Sequence, residues 1–189
     1  MMDLQVRLRT GHVKRWQIVR VAREQTVAEH MYRVWLIVQA MLKVTDEYNL
    51  SLFTHADGVQ ASKWALMHDL PEVITGDIAT PAKMAIRHAV PESDPVRNIE
   101  LSLDSEYAQI HSEIHGRVPQ MMVKLADMYE AIDFLSIEGI GPHAYQVHTT
   151  LLRQLVEKLG EARVKHSDVD WWLVHATLTL QLNVVYKGV

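Results

Sequence analysis

No stretch of this 189-residue sequence alternates polar and apolar residues with the period of two that a half-buried strand requires. Its apolar residues recur at helical spacing instead. Thr26-Val27-Ala28-Glu29 has the form of a capping box, in which the Thr26 hydroxyl accepts from the Glu29 amide and the Glu29 carboxylate reaches back. Behind it Val34, Ile37, Val38, Met41 and Leu42 fall at i, i+3, i+4, i+7 and i+8, which predicts a helix over about residues 26–45. Asp57-Gly58-Val59-Gln60 reads as a second start, of an Ala- and Leu-rich helix that runs to about His68 and breaks near Pro71. Residues 73–93 read as a turn and short helical pieces punctuated by Gly76, Pro81 and Pro91, followed by a polar helix over 94–115. The run "VPQMMVKLADMYEAIDFLSIE" (118–138) is apolar on more than one face and is stopped by Gly139 and Gly141. Two further helices cover about 142–159, ending at Gly160, and a segment from about Ser167 onward. The expectation is an all-α bundle, one domain spanning 1–189, with no internal repeat.

Composition narrows the partners. Formal net charge is −4 and no stripe of Lys or Arg stands out, so a nucleic acid polymer is not expected as a partner. The absence of cysteine removes disulfides and thiolate metal sites. The N-terminus lacks an apolar signal core and no apolar run approaches the ~18 residues of a membrane span, so a cytoplasmic location without membrane attachment is expected. The terminal helix carries Trp171, Trp172, Leu173, Leu178, Leu180, Leu182, Val184 and Val185, more apolar surface than one helix face needs, which points to a homo-oligomer.

The chemistry rests on a few residues. Asp127 shares a helical face with Val123, Ala131 and Phe134, where a carboxylate is costly unless a cation or strong donors compensate. Its plainer alternative is an acid at the helix edge that reaches water. His30 opens the first long helix, and His68 directly precedes Asp69 at the end of the second. Singly, each is more often a capping or surface residue than a ligand. Together they offer two imidazoles and two carboxylates on three helices, a donor set suited to a divalent ion such as Mn, Co, Fe or Zn. Adjacent side chains on a helix diverge by about 100°, so His68 and Asp69 would converge only from a helix edge.

His30, then His68-Asp69, then Asp127 in "VKLADMYEAIDFL" resembles the H…HD…D signature of the HD-domain metal phosphohydrolases. The similarity is closest to the 5′-deoxynucleotidase-like branch and spans roughly residues 13–138. It is carried by "KRWQIVR" (14–20), "TVAEH" (26–30) and "HDLPEVITGDIATPAK" (68–83). That branch includes bacterial 5′-deoxynucleotidases and phage enzymes that strip triphosphate from dATP.

The resemblance implies one divalent metal (Co, Mn, Zn, Fe or Mg) on His30, His68, Asp69 and Asp127, with a second ion alongside the substrate phosphates as an option. It implies catalytic carboxylates at Glu72 and Asp77. Arg15 and Lys83 match positions that grip phosphate, Trp16 one that packs on the deoxyribose, and Ile18 falls near the base. The implied activity is attack at the α-phosphorus of a 2′-deoxynucleotide. The segment from Lys83 to Asp127 is shorter than in the bacterial enzymes, which implies a more open pocket roof and sets dATP triphosphohydrolase ahead of 5′-deoxynucleotidase. If the chain is phage-encoded, the compartment is the host cytoplasm. Hydrolysis of another phosphoester and a non-catalytic regulatory bundle are the remaining alternatives.

Overall fold

The computed structural model describes residues 2–47 and 52–182. Among them, ten α-helices follow one another: α1 Leu4–Arg7, α2 Val27–Glu47, α3 His55–Ala65, α4 Glu72–Thr75, α5 Thr80–Ala89, α6 Pro95–Leu103, α7 Ser105–Ile114, α8 Val118–Glu138, α9 Gly141–Lys165 and α10 Trp171–Gln181. The described residues hold no strand, only two isolated bridges, Lys14 with Thr26 and Val21 with Gly139. The architecture is all-α, as the periodicity requires.

Helix α8 is the hub. It packs against α2, α3, α7 and α9, which explains why its sequence is apolar on several faces. Met122, Leu125, Ala126, Tyr129 and Ile132 are all wholly buried. From α2 come Val34, Val38 and Met41, at the predicted stripe, and from α9 Leu155 and Leu159 close the same core. A smaller cluster of Val19, Phe134, Leu135 and Ala144 clamps the N-terminal segment to the end of α8. There Ala22 and Ile140 amides donate to the Glu138 and Arg20 carbonyls. Only glycine fits at 139, because an added Cβ would lie 2.5 Å from the Leu135 carbonyl oxygen.

Several boundaries differ from the sequence reading. Thr54, not Asp57, caps α3: its hydroxyl accepts from the Asp57 amide while the Asp57 carboxylate accepts from the Thr54 amide. Helix α3 ends at Ala65, before the His-Asp pair. The polar 94–115 segment is two helices, broken at Asp104, whose carboxylate accepts from the Tyr107 amide and from Arg7. Helix α9 runs through Gly160 to Lys165 because one exposed glycine weakens a long helix without stopping it. At the start of α2 the Thr26 half of the capping box is present, but Glu29 turns away to a bidentate pair with Arg23. The terminal helix begins at Trp171 with Asp170 as its cap, not at Ser167. It buries Trp171, Val174 and Leu178 and leaves Trp172 and Leu180 exposed; Val184 and Val185 lie outside the described residues.

Candidate metal centre and its surroundings

Four donor atoms meet where α2, the turn after α3, and α8 approach one another. His30 Nε2 lies 3.3 Å from His68 Nε2, 3.4 Å from Asp69 Oδ2 and 3.3 Å from Asp127 Oδ1. His68 Nε2 is 3.5 Å from Asp69 Oδ2. Atoms of His30, His68 and Asp69 all fall within 4.8 Å of one another; Asp127 lies outside that mutual group and touches it through His30. Ligands at ~2.0–2.2 Å from one ion sit roughly 3–3.5 Å from their neighbours, so these separations fit a shared cation.

The convergence of His68 and Asp69 depends on local backbone. Residues 66–71 form successive turns instead of an α-helix, with the Leu70 amide donating to the Met67 carbonyl and the Glu72 amide to that of Asp69. That departure from helical geometry removes the 100° divergence expected of neighbours, and both side chains point the same way. Pro71, which has no amide hydrogen, sits at the end of the turn.

Both imidazoles are oriented from behind. His30 Nδ1 is 2.7 Å from Glu130 Oε2, and His68 Nδ1 is 2.9 Å from the Ala65 carbonyl. Each acceptor favours the tautomer with hydrogen on Nδ1, leaving the Nε2 lone pair for an ion. Electrostatics agree with a cation site. Burial opposes charge on Asp69, yet His68, His30 and Arg15 hold its carboxyl below the usual range. Burial likewise opposes charge on Asp127, but Lys124, His30 and His68 hold it well below. Burial and Arg15 work against a proton on His30, but contacts with Asp127 and Glu130 push it up to about 9. The negative cluster thus draws positive charge to the point a divalent ion would occupy.

Asp127 is only partly desolvated. Its side chain keeps 22% exposure and its Oδ2 accepts from Lys124 Nζ at 2.9 Å. One oxygen thus faces His30 and the other reaches Lys124.

Glu72 stands beside this centre, 4% exposed. Oε1 accepts from Lys83 Nζ at 3.2 Å, while no group among the described residues hydrogen-bonds the buried Oε2. Burial first, then Asp69, pushes the carboxyl up to about 9, against the pull of Lys83. A protonated carboxylic acid at neutral pH can donate a proton. Asp77 follows Gly76, whose φ of 72° lies in the left-handed region that glycine tolerates. Its carbonyl accepts from Gln17, tying this turn to the N-terminal segment.

That segment carries the remaining sequence candidates. Arg15 Nη1 lies 3.4 Å from Glu130 Oε2, and burial is outweighed by Asp69, Asp127 and Glu130, which raise its affinity for its proton. Trp16 stacks on Phe134 with centroids 5.7 Å apart and rings 2° from parallel. Its φ is 62°, a strained value for a bulky residue and one seen mostly where function demands it. Ile18 is 55% exposed beside it.

Sequence reading missed the network that joins these parts. Glu130 is wholly buried, lies 2.7 Å from His30 Nδ1, accepts from Gln25 Nε2 at 2.6 Å and from Arg15, and is ion-paired with Arg33. Gln25, equally buried, accepts from Trp16 Nε1 at 2.8 Å. A continuous chain of hydrogen bonds therefore runs from the indole to His30. Glu130 carries the signal that flagged Asp127, an acid in an apolar helix, three residues further along. Gln25 offers none.

The chain as a whole is similar to known proteins. A family model described as 5′-deoxynucleotidase YfbR-like matches residues 4–138. The chain is 34% identical over 158 residues to a dATP triphosphohydrolase of Cyanophage S-2L, covering 82% of each chain. It is 27% identical over 187 residues to a dATP triphosphohydrolase of Acinetobacter phage SH-Ab 15497, covering 93% of this chain and 89% of that one. With a 5′-deoxynucleotidase of Shewanella oneidensis it shares 32% identity over 71 residues, 38% of this chain and 35% of the other. Its fold is similar to the Cyanophage S-2L HD phosphohydrolase DatZ, solved with dA and one catalytic Zn2+, at a TM-score of 0.79 and 30% identity over 97% of this chain and 95% of that one.

Proposed function

Because the chain belongs to the 5′-deoxynucleotidase YfbR-like family of HD phosphohydrolases, we propose that it cleaves a 2′-deoxynucleotide between the α-phosphorus and the 5′-oxygen, with dATP losing triphosphate as the leading reaction. The observation that carries this reading is the meeting of His30, His68, Asp69 and Asp127 donors beside a buried Glu72 oxygen that has no protein partner among the described residues. These four residues would hold the divalent cation. Such an ion supplies Lewis acidity and brings the pKa of water toward ~7.

The chain's own residues account for the rest. Water adds to the α-phosphorus, the bond to the 5′-oxygen breaks, and that oxygen must gain a proton as it leaves. Glu72, raised to about 9, is protonated at neutral pH and its Oε2 is the donor. Asp77 lies close enough to act on Glu72 electrostatically and would orient the incoming water. Arg15 and Lys83 hold fixed positive charge near the reacting phosphoryl group, where charge spreads in the transition state. Trp16 would lie against the deoxyribose, with Ile18 near the base.

A second reading, 5′-deoxynucleotidase action on deoxynucleoside monophosphates, is favoured by the family description and by the Shewanella relative. Both reactions break the same bond and differ only in what extends beyond the α-phosphorus. Incubating the metal-loaded protein with dAMP, dATP, ATP and dGTP, and identifying the released group, separates them. Triphosphate from dATP is expected; orthophosphate from dAMP with dATP left intact would establish the second reading. None of the described helices is long and apolar enough to cross a membrane, and we place the reaction in the cytoplasm, or the host cytoplasm for a phage gene. The assembly we propose is a homo-oligomer of one-domain subunits.

A further inference from the structure

The two substrate readings differ in a polyanionic tail, and a cavity of about 220 Å³ lies along α8 from the metal centre. One wall is Arg117, the residue capping α8, with Gln120 and Lys124 of α8; the α9 wall is Lys158, Glu161 and Lys165. Four cationic side chains thus face one carboxylate. Glu161 pairs with Lys158 at 2.7 Å and Lys165 at 3.9 Å and so offsets one of the four charges; even with Asp57 3.7 Å from Arg117 and Asp127 2.9 Å from Lys124, the group stays net positive. The N-terminal turn of α8 borders the same space and contains no acidic residue, adding the positive end of a long helix.

Lys124 belongs to both places. Its Nζ is 2.9 Å from Asp127 Oδ2 while its side chain lines the cavity. Along a helix rising 1.5 Å per residue, Lys124 stands about 4.5 Å and Gln120 about 10 Å from Asp127, a path suited to linked phosphoryl groups. We infer that this cavity is the subsite for the β- and γ-phosphates of a nucleoside triphosphate, and that it holds the released polyphosphate before it leaves. The inference rests on the triphosphohydrolase reading. It assigns the preference for a long leaving group to α8 and α9, outside the segments that contact sugar and α-phosphate.

Lys158 and Lys165 lie on α9, which carries none of the candidate metal ligands, and pair with Glu161 at partly exposed positions, so replacing both should leave the centre intact. The test measures inorganic tripolyphosphate binding to the full chain by calorimetry, its inhibition pattern against dATP, and dATP turnover. The wild type should bind tripolyphosphate more tightly than orthophosphate and competitively with dATP. The K158Q/K165Q variant, checked for an unchanged melting curve, should bind tripolyphosphate at least tenfold more weakly and raise KM for dATP with little change in kcat. Glu161→Gln should act in the opposite direction. Tripolyphosphate binding that does not compete with dATP would mark a separate polyphosphate site and overturn the assignment. So would K158Q/K165Q behaving as the wild type while the wild type releases triphosphate. A wild type that leaves dATP intact and cleaves dAMP would instead fell the substrate reading itself, and the subsite with it.

Discussion

Two carboxylates next to the candidate metal centre carry opposite electrostatic assignments. Glu72 is held protonated by burial, and Glu130 is held ionised against burial by His30, Arg15 and Arg33. The first suits proton donation, and Glu72→Gln should keep metal and nucleotide binding but lose turnover by roughly 10²-fold or more in steady-state assays. The same variant tests the pKa. A carboxyl raised from 4.5 to about 9 contributes stability that is complete below pH 4.5 and is lost as pH rises through 9. Melting curves of chelated protein should therefore show Glu72→Gln more stable than wild type at pH 9, with the difference shrinking toward pH 5. Glu130 acts through His30. Replacing a carboxylate that orients a ligating imidazole typically costs ~10–100-fold in metal affinity, and Glu130→Gln should do so in a zinc titration while leaving Glu72 in place.

At the scale of elements, segment 14–26 does the most with the least regular structure. It is tied to α8 through Gln25 and Glu130, to the Asp77 turn through Gln17, and to the second core cluster through Val19 and Trp16. Three anchors hold Trp16 at a φ of 62° that no isolated peptide would favour. An indole against C2′ leaves a ribose hydroxyl without a partner, at ~1–3 kcal/mol, or roughly ten- to a hundredfold discrimination. Hydrolysis of dATP should exceed that of ATP by this ratio, and Trp16→Ala should narrow the ratio more than it weakens metal binding. Helix α9 allows a control on stability alone. A Cβ at exposed Gly160 would meet nothing within 4 Å, so Gly160→Ala should raise stability by about 0.5–1 kcal/mol in urea titrations without touching activity.

For the molecule as a whole, the terminal helix sets the assembly question. Burying Trp171, Val174 and Leu178 uses part of its apolar surplus within the chain. Trp172 at 43% and Leu180 at 83% exposure remain outward, more than solvent favours on one short helix. Sedimentation at micromolar concentration should show a species larger than the 21.7 kDa chain, and a monomer there would refute the homo-oligomer.

The all-helical class and both long helices α2 and α8 could be read from the chain because each rests on local information, whereas the roles proposed for Arg15, Trp16, Ile18, Glu72, Asp77 and Lys83 come from the family resemblance and not from local pattern. Helical period, caps and an acid or imidazole among apolar neighbours are properties of adjacent residues. Tertiary structure decided what depends on distant partners. The His68-Asp69 pair converges because a run of turns replaces the expected helix end, and no local pattern announced that. Gln25 joins Trp16 to Glu130 across 105 positions of sequence, a contact created only when the N-terminal segment closes over α8. The basic cavity exists because antiparallel packing of α8 and α9 brings Arg117 and Lys124 opposite Lys158 and Lys165. In the sequence those four are ordinary solvated charges, and folding is what gives them a common direction.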